Sequence, residues 1–346
     1  MSLTVVIPTF NRSKKLRHTL HALHRQTAGS FDVIVIDNSS TDDTALVIEE
    51  CRRFYNGRLR YRVKEPKGPA SARNLGLAMA DSEYILYLDS DVELRPDWIN
   101  LAILNMERDE NLGAVGGQVQ YAFNKDLLNA YGGAIGWFGL AWDIMEGENI
   151  NMAINPEKRI WINCSAMMAR TVACRHVKGF DEEFFCCYED SDIGWKLNLA
   201  GWDVKVFPEL IAYHNVQPVA GASNPAIVFH YCKNRLRSLL KNTESSLLGP
   251  RLFCYAVYTV LDSAVRKPRI PKIQALLWNL SNLRDTLKKR RESQKIRQRS
   301  DKEVFGVQGL HWFPPTPLNG QRRRAVKSID TDGKDLADKK NVDDRI

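Results

Sequence analysis

Residues Tyr84–Leu94 read YILYLDSDVEL. Tyr84 to Leu88 run apolar and aromatic, without Gly or Pro, and stop at Asp89-Ser90-Asp91. A short unbroken run of this kind predicts a strand buried on both faces. Two carboxylates spaced i, i+2 then stand where the strand leaves its sheet. In open α/β sheets, ligands gather at the carboxyl ends of the strands. There Asp89 and Asp91 can aim hard oxygen ligands at one Mg2+ or Mn2+, which would neutralise a phosphate that neither carboxylate could approach alone. The competing reading is a surface turn, for which Asp and Ser are ordinary residues. The flanking sequence has to decide.

Toward the N-terminus, Leu3–Ile7 is a β-branched run and predicts a first strand. Pro8-Thr9-Phe10-Asn11-Arg12 breaks it, and Ser13 is placed to cap a helix reaching about Gln26, with Leu16, Leu20 and Leu23 as its buried stripe. His18, His21 and His24 drift around that helix with no carboxylate nearby, so they read as exposed or half-buried rather than as metal ligands. Phe31–Ile36, FDVIVI, predicts a second strand, followed by a polar turn, Asp37–Asp42, and a helix from about Thr44. Strand, turn and helix N-terminus together suit a nucleotide. Asp37 could accept the imide N–H of a uracil or thymine ring, or the turn could simply reverse the chain; Asp42 reads as a helix cap. Tyr61–Val63 predicts a third short strand. GPASARNLG, residues 68–76, opens a helix with Ser71 as its cap. Arg73, one turn inside, would point toward Asp89 and Asp91, where its fork can clamp a diphosphate. An ion pair with Glu65 or Asp81 is the alternative. Strands alternating with helices predict an α/β, doubly wound, Rossmann-like, mainly parallel sheet.

In order and spacing, PTFNR (8–12), VIVIDNSSTDDT (33–44), GPASARNLG and YILYLDSDVELRPDW (84–98) resemble the N-terminal half of family-2 glycosyltransferases of the GT-A fold. The resemblance implies a nucleotide-diphosphate sugar donor, a UDP- or dTDP-sugar, bound across these loops. Pro8, Thr9, Arg12 and Asp37 would hold the base, Asp89 the ribose and Asp91 the metal. Gly113–Val119 predicts a further strand, and the aperiodic Tyr121–Asn155 falls where the family shapes its acceptor side. Ile160–Ala169 returns to an apolar strand pattern, and Cys164, Ser165 and Ala166 stand where the family places small residues against the donor sugar. Gly179–Trp195, GFDEEFFCCYEDSDIGW, matches the family's E-D element. By that match Glu189 and Asp190 are catalytic, with Asp190 the general base at a helix start whose dipole favours its charged form; Asp192 reads as a cap. Trp202–Phe207 predicts a last strand, and the resemblance gives His214 to the metal or the diphosphate; imidazole suits Mn2+ beside carboxylate. His230–Asn242 is a basic helix similar to a segment of the rhamnosyltransferase-like branch. Its Arg235 and Arg237 either meet the diphosphate of a donor or lipid-linked acceptor, or line a solvated face.

The 346 residues are 44% hydrophobic and 26% charged, the balance of a soluble globular protein. The chain enters a strand at once, without a signal peptide, and has no apolar stretch of spanning length, so the expected location is cytoplasmic. Seven cysteines with no C-x-x-C pair argue against a zinc site and a disulfide framework, and Cys186-Cys187 read as reduced core thiols. The formal charge of +8 suits an anionic partner, and with no nucleic-acid motif that partner is a nucleotide or a membrane. Leu252–Val265 is apolar but too short to span. Ile273, Leu276, Leu277, Leu280, Leu283 and Leu287 share one helical face beside Lys288–Arg291, which predicts peripheral contact with the cytoplasmic face of the membrane. The alternative is packing against the catalytic domain or a second subunit. The expected division is a GT-A catalytic domain over 1–245, a helical amphipathic extension over 246–300 and a polar, mobile tail over 301–346. The expected activity is metal-dependent, inverting transfer of a sugar to a hydroxyl of a glycan or lipid-linked acceptor in cell-envelope polysaccharide or glycolipid synthesis. A sugar-nucleotide nucleotidyltransferase would need a Gly- and Arg-rich loop where PTFNR stands. A non-catalytic GT-A-fold binding protein remains the other rival, because fold alone does not license activity.

Overall fold

The β-branched opening of the chain forms β1 (Leu3–Thr9), a strand buried along its whole length. In the computed structural model, which describes residues 2–216 and 224–308, β1 lies inside a ten-stranded mixed sheet. It pairs in parallel with β2 (Asp32–Asp37), outside which runs β3 (Leu59–Val63), and on its other side with β4 (Tyr84–Leu88). The crossovers are α1 (Ser13–His24), α2 (Thr44–Arg52) and α3 (Gly68–Met79). The chain therefore runs outward from β1 to β3 and returns beyond β1 at β4, so strand order reverses between β1 and β4. Period-two alternation sorts the core. Val5, Ile7, Leu86 and Leu88 face the side of Leu16, Leu20 and Trp98, while Val6, Ile34, Ile85 and Tyr87 face Leu77, Phe180 and Trp195. Each such side chain contributes roughly 1.5–3 kcal/mol on burial.

Beyond β4 come β5 (Val92–Leu94), α4 (Trp98–Arg108), β6 (Leu112–Tyr121), β7 (Asn124–Ala130), β8 (Gly133–Ile135), β9 (Ala141–Asp143), β10 (Glu157–Lys158), β11 (Ala166–Arg170), α5 (Thr171–His176), α6 (Glu189–Leu199) and β12 (Asp203–His214). The sheet runs β10-β12-β6-β11-β4-β1-β2-β3. β11 is antiparallel to both its neighbours, β4 and β6, which makes the sheet mixed. Four expectations change. Only Ala166–Arg170 of the predicted 160–169 strand pairs in the sheet; the buried chain before it crosses under α6, with Trp161 against Gly194. The last strand does not stop at Phe207 but runs past an irregularity to His214. Ser13 is no cap: its N–H donates to the Asp42 carboxylate at 2.8 Å, and Asp42 also receives the Thr44 N–H. α3 begins three residues before Ser71, with Pro69 in its first turn, where the missing N–H costs nothing.

The C-terminal helices are α7 (Pro225–Asn242), α8 (Ser245–Val265), α9 (Ile270–Ser281), α10 (Leu283–Lys295) and α11 (Asp301–Gly306). α11 corrects the expectation of a structureless tail from Ser300. Ser300 and Glu303 form a reciprocal capping box, and Phe305 packs edge-on to Trp195 of α6. Arg251 of α8 is buried over the Phe305 ring and paired to Asp301 at 3.3 Å, so this helix end is built into the protein. The Pro314-Pro315 and Arg322–Arg324 part of the predicted tail lies outside the described residues. Among the described residues, no helix is long and apolar enough to cross a membrane.

Candidate active site

Three strand ends leave the sheet together where the strand order reverses. Thr9 lies beside Asp37 in the β1–β2 register, and β4 runs parallel on the other flank of β1, ending at Asp89-Ser90-Asp91. Between them lies a cleft of about 260 Å3 whose walls include Pro8, Thr9, Arg12, Arg73, Asp89 and Glu189. This is the crevice in which open α/β sheets take their ligands. Asp37 is buried and anchors its own turn. One oxygen accepts from the Ser40 N–H (2.8 Å) and hydroxyl (2.6 Å), the other from the Tyr61 hydroxyl (2.5 Å). Thr9 Oγ1 and Asn38 Oδ1 are buried there without a hydrogen-bond partner among the described residues. Buried polar atoms are normally satisfied, so both are available to a ligand.

Asp91 is almost wholly enclosed. Its Oδ2 accepts from Arg12 at 2.6 Å and Lys15 at 3.2 Å, and His214 Nε2 lies 3.4 Å from its Oδ1. Burial pushes the carboxyl up, but His214, Arg12 and Lys15 outweigh it and hold it at about 2. His214 Nδ1 stands 2.9 Å from Asn129 Oδ1, a contact that orients the ring with Nε2 toward Asp91. One ligand atom each from Asp89, Asp91 and His214 fall within 4.8 Å of one another. Two carboxylates and an imidazole make a hard, mixed oxygen and nitrogen set that suits Mn2+ or Mg2+. Asp91 Oδ1, buried and without a hydrogen-bond partner among the described residues, fits a ligand atom.

Across the cleft stands the start of α6. Cys187 and Tyr188 both take left-handed backbone conformations (φ 65° and 72°), which costs on the order of 1–2 kcal/mol per residue. Asn234 holds this turn by donating to the carbonyls of Cys186 (2.8 Å) and Cys187 (2.7 Å), and the Tyr188 hydroxyl donates to Gly139 O at 2.6 Å. The two cysteines are free, as expected, but half-buried rather than in the core. Asp190 then accepts from the Cys164 N–H at 3.0 Å. Buried Arg73 ties the two sides of the cleft, pairing with Asp89 at 2.9 Å, Glu189 at 3.3 Å and Asp190 at 3.4 Å. Neither Glu65 nor Asp81 takes it, and a diphosphate would have to share it with three carboxylates. Burial pushes Glu189 up to about 7, Asp190 adds to the rise, and Arg73 opposes it. Burial likewise raises Asp89 against the pull of Arg73.

Two expectations fail nearby. Asp192 caps nothing; it is buried, accepting from Ser238 (2.7 Å), Lys241 (3.0 Å) and Asn242 (2.9 Å) of α7. Arg235 and Arg237 neither reach the cleft nor line a solvated face. Arg237 is fully buried and bonds Asp181 at 2.8 Å, and Arg235 lies over the Tyr255 ring at 4.5 Å. The basic helix instead neutralises the acidic segment that precedes α6. Sequence reasoning missed Lys15, Asn38, Asn129 and the Asn163–Asp143 bond (2.9 Å). Lys15 stands three residues after Arg12 on the same loop and helix start, the one signal that could have found it. Asn129 and Asp143 lie on β7 and β9, within the aperiodic stretch.

Residues 4–174 match the model of glycosyl transferase family 2. Over that segment, just under half of its length, the chain resembles glycosyl transferase family 2. It is 36% identical over 106 residues to an uncharacterized glycosyltransferase of Rickettsia felis, a match covering 31% of this chain and 17% of that protein. It is 33% identical over 102 residues to the poly(ribitol-phosphate) beta-N-acetylglucosaminyltransferase TarS of Staphylococcus aureus, covering 29% and 17%. The matched part is thus about a sixth of these relatives' length. Among solved structures, GalNAc-T7 with UDP, GalNAc and Mn2+ superposes with a TM-score of 0.62 at 15% identity, over 84% of this chain and 54% of that one. S. aureus TarS 1-349 in complex with UDP-GlcNAc superposes with a TM-score of 0.57 at 17% identity, over 86% and 92%. At such identities the likeness establishes the fold, which is GT-A.

Proposed function

We propose that the chain is a glycosyltransferase that moves a sugar from a UDP- or dTDP-sugar to an acceptor hydroxyl by a single displacement that inverts the anomeric centre. One observation carries the reading: Asp89, which gathers with Asp91 and His214, is joined by Arg73 to the Asp190 carboxylate at the start of α6. Pro8, Thr9, Arg12, Asp37 and Asn38 border the base and ribose. When bound at Asp89, Asp91 and His214, a divalent cation supplies positive charge where the leaving diphosphate gains negative charge. The acceptor oxygen attacks the anomeric carbon, the bond to the diphosphate breaks, and Asp190 takes the acceptor proton. Its tether to the Cys164 N–H fixes Oδ2, and Oδ1, which Arg73 also approaches at 3.4 Å, receives that proton. Arg73 positions both carboxylates of the α6 start, and Glu189, with its raised affinity for a proton, lowers the charge crowded around that one guanidinium. The UDP-GlcNAc and Mn2+ carried by the superposed structures support a uridine donor and manganese. A glycan or lipid-linked acceptor of the cell envelope agrees with the poly(ribitol-phosphate) substrate in the name of TarS. The arginines of the 230–242 helix are structural, so that segment no longer speaks for a rhamnose donor.

The test is a donor screen by nucleotide release, with UDP- and dTDP-sugars and Mn2+ or Mg2+, on wild type and Asp91→Ala. The wild type should release UDP or dTDP from one donor and stop in excess EDTA, and Asp91→Ala should lose metal-dependent donor binding while melting cooperatively. Full turnover in EDTA would overturn the metal assignment. Pyrophosphorolysis of the donor, or synthesis from NTP and sugar phosphate, would point to the nucleotidyltransferase.

A further inference from the structure

Three helices in the C-terminal part are inside out. A helix on a soluble protein normally turns its apolar stripe to the core and its polar residues to water. On α9 and α10 the buried positions include Lys272, Asn279, Thr286 and Ser293, one polar residue every seventh, and the structure uses them inward. Lys272 pairs with Asp262, Asn279 donates to Lys233 O at 3.0 Å, and Thr286 accepts from Arg237 at 2.8 Å. The leucines and isoleucines point outward: Ile273, Leu277 and Leu280 are each more than half exposed. α8 does the same through Phe253, Val260 and Val265, which are 71%, 69% and 82% exposed, while its Arg251 and Tyr255 face inward. Of the 21 large apolar side chains exposed among the described residues, twelve lie in the 35 residues from Phe253 to Leu287. An apolar surface this concentrated marks an interaction site.

Charge says what covers it. Residues 251–295 hold eleven Lys and Arg against three Asp and Glu, a net +8, which is the formal charge of the entire chain; the other residues balance. The three acids are already paired: Asp262 with Lys272, Asp285 with Arg237 and Glu292 with Lys178. Arg266, Lys267 and Arg269 are exposed at the corner between α8 and α9, and Lys288 and Arg291 along α10. We propose that α8, α9 and α10 seat the protein on an anionic lipid bilayer, apolar side chains in the headgroup–acyl boundary and the flanking cations on lipid phosphates. Apolar faces with cationic flanks bind such interfaces. A second copy would bring the same exposed cations, Arg266, Lys267, Arg269, Lys288 and Arg291, to the same face, and so fits it worse than lipid does. This surface is separate from the cleft residues, and its test does not depend on transfer.

Flotation of the full chain with phosphatidylcholine vesicles, with and without phosphatidylglycerol, reads the proposal directly. The wild type should float with the mixed vesicles, not with phosphatidylcholine alone, and should be released by added salt, which screens surface charge within roughly 8 Å at physiological strength. Val260→Asp with Leu277→Asp should abolish flotation while leaving the melting transition and nucleotide release unchanged. Arg266→Gln, Lys267→Gln and Arg269→Gln should weaken binding about fivefold for each charge removed. Wild type that stays unbound on mixed vesicles overturns the proposal, as does equal flotation of all variants. A dimer in light scattering that Val260→Asp with Leu277→Asp dissociates, with no flotation of wild type, gives the face to a second copy instead.

Discussion

Lys241→Met tests the charged joint between α7 and α6. The lysine is 2% exposed and neutralises two carboxylates, Asp181 at 2.7 Å and Asp192 at 3.0 Å, each 1% exposed. Removing one partner of a buried ion pair costs about 3–5 kcal/mol, because it strands the other charge. The lower end applies here. Asp181 keeps Arg237 and Lys289, and Asp192 keeps Ser238 and Asn242. A loss of about 3 kcal/mol leaves a domain with roughly 5–15 kcal/mol still folded. The deficit should depend on pH. Burial raises both carboxyls, but Lys241 leads the groups that pull them below their ordinary 3.8. Depressed carboxylates contribute stability that is present above the ordinary pKa and lost as pH falls through the folded one. The variant has less of that stability to lose, so its gap to wild type should narrow as pH falls below about 4. Urea unfolding followed by tryptophan fluorescence at neutral and acid pH measures both quantities. Adding Asp192→Asn should restore part of the loss. A deficit under about 1 kcal/mol, or one that acid leaves unchanged, would refute the view that Lys241 holds these charges.

Asp190→Asn keeps the bond from Cys164 but cannot take a proton; transfer should fall by ~10²–10⁴-fold with donor affinity nearly intact, read by nucleotide release and calorimetry. Asp192→Asn should instead lower the melting temperature while the remaining folded enzyme turns over. Glu189 is raised from 4.5 to about 7, so its contribution to stability is present below pH 4.5 and lost as pH rises through about 7. Glu189→Gln should escape that loss and gain on the order of 2–3 kcal/mol over wild type at alkaline pH with little difference in acid, measured by urea unfolding in EDTA. Gly68 sits at φ +78°, and a Cβ there would collide with the Phe185 carbonyl, so Gly68→Ala should destabilise by about 2 kcal/mol or more and disturb the loop before Asp190.

The half of the chain up to Asp91 was legible because its signals are local. Unbroken apolar runs give buried strands, period-two alternation assigns their faces, and parallel pairing forces their polar ends to one edge. Pro8, Thr9, Arg12 and Asp89 met in the cleft for that reason. Ser13 and Ser71 misled because a cap is set by backbone geometry, and Asp42 from another loop and Pro69 one turn earlier were the groups in place. The basic helix misled more. Read alone, Arg235 and Arg237 looked like cations free for a diphosphate, whereas Arg237 and Lys241 answer Asp181 and Asp192, some fifty residues earlier, and Arg235 packs on Tyr255. The same separation hid Asn129 and Asp143, whose strands carry no period.

The bond from Tyr188 to Gly139 couples two tasks usually thought of as separable. Gly139 lies in the connection between β8 and β9, in the stretch that the proposed reading gives to the acceptor side, and Tyr188 is the residue on which α6 begins. A change that refits the β8–β9 hairpin to a new acceptor therefore moves the proton acceptor as well. Grafting residues 133–143 from another family member would import a mismatch at Tyr188, and the chimaera would lose turnover before it lost acceptor binding. Acceptor choice here can drift only together with the turn at Cys187 and Tyr188, so variation in one should be found accompanied by variation in the other.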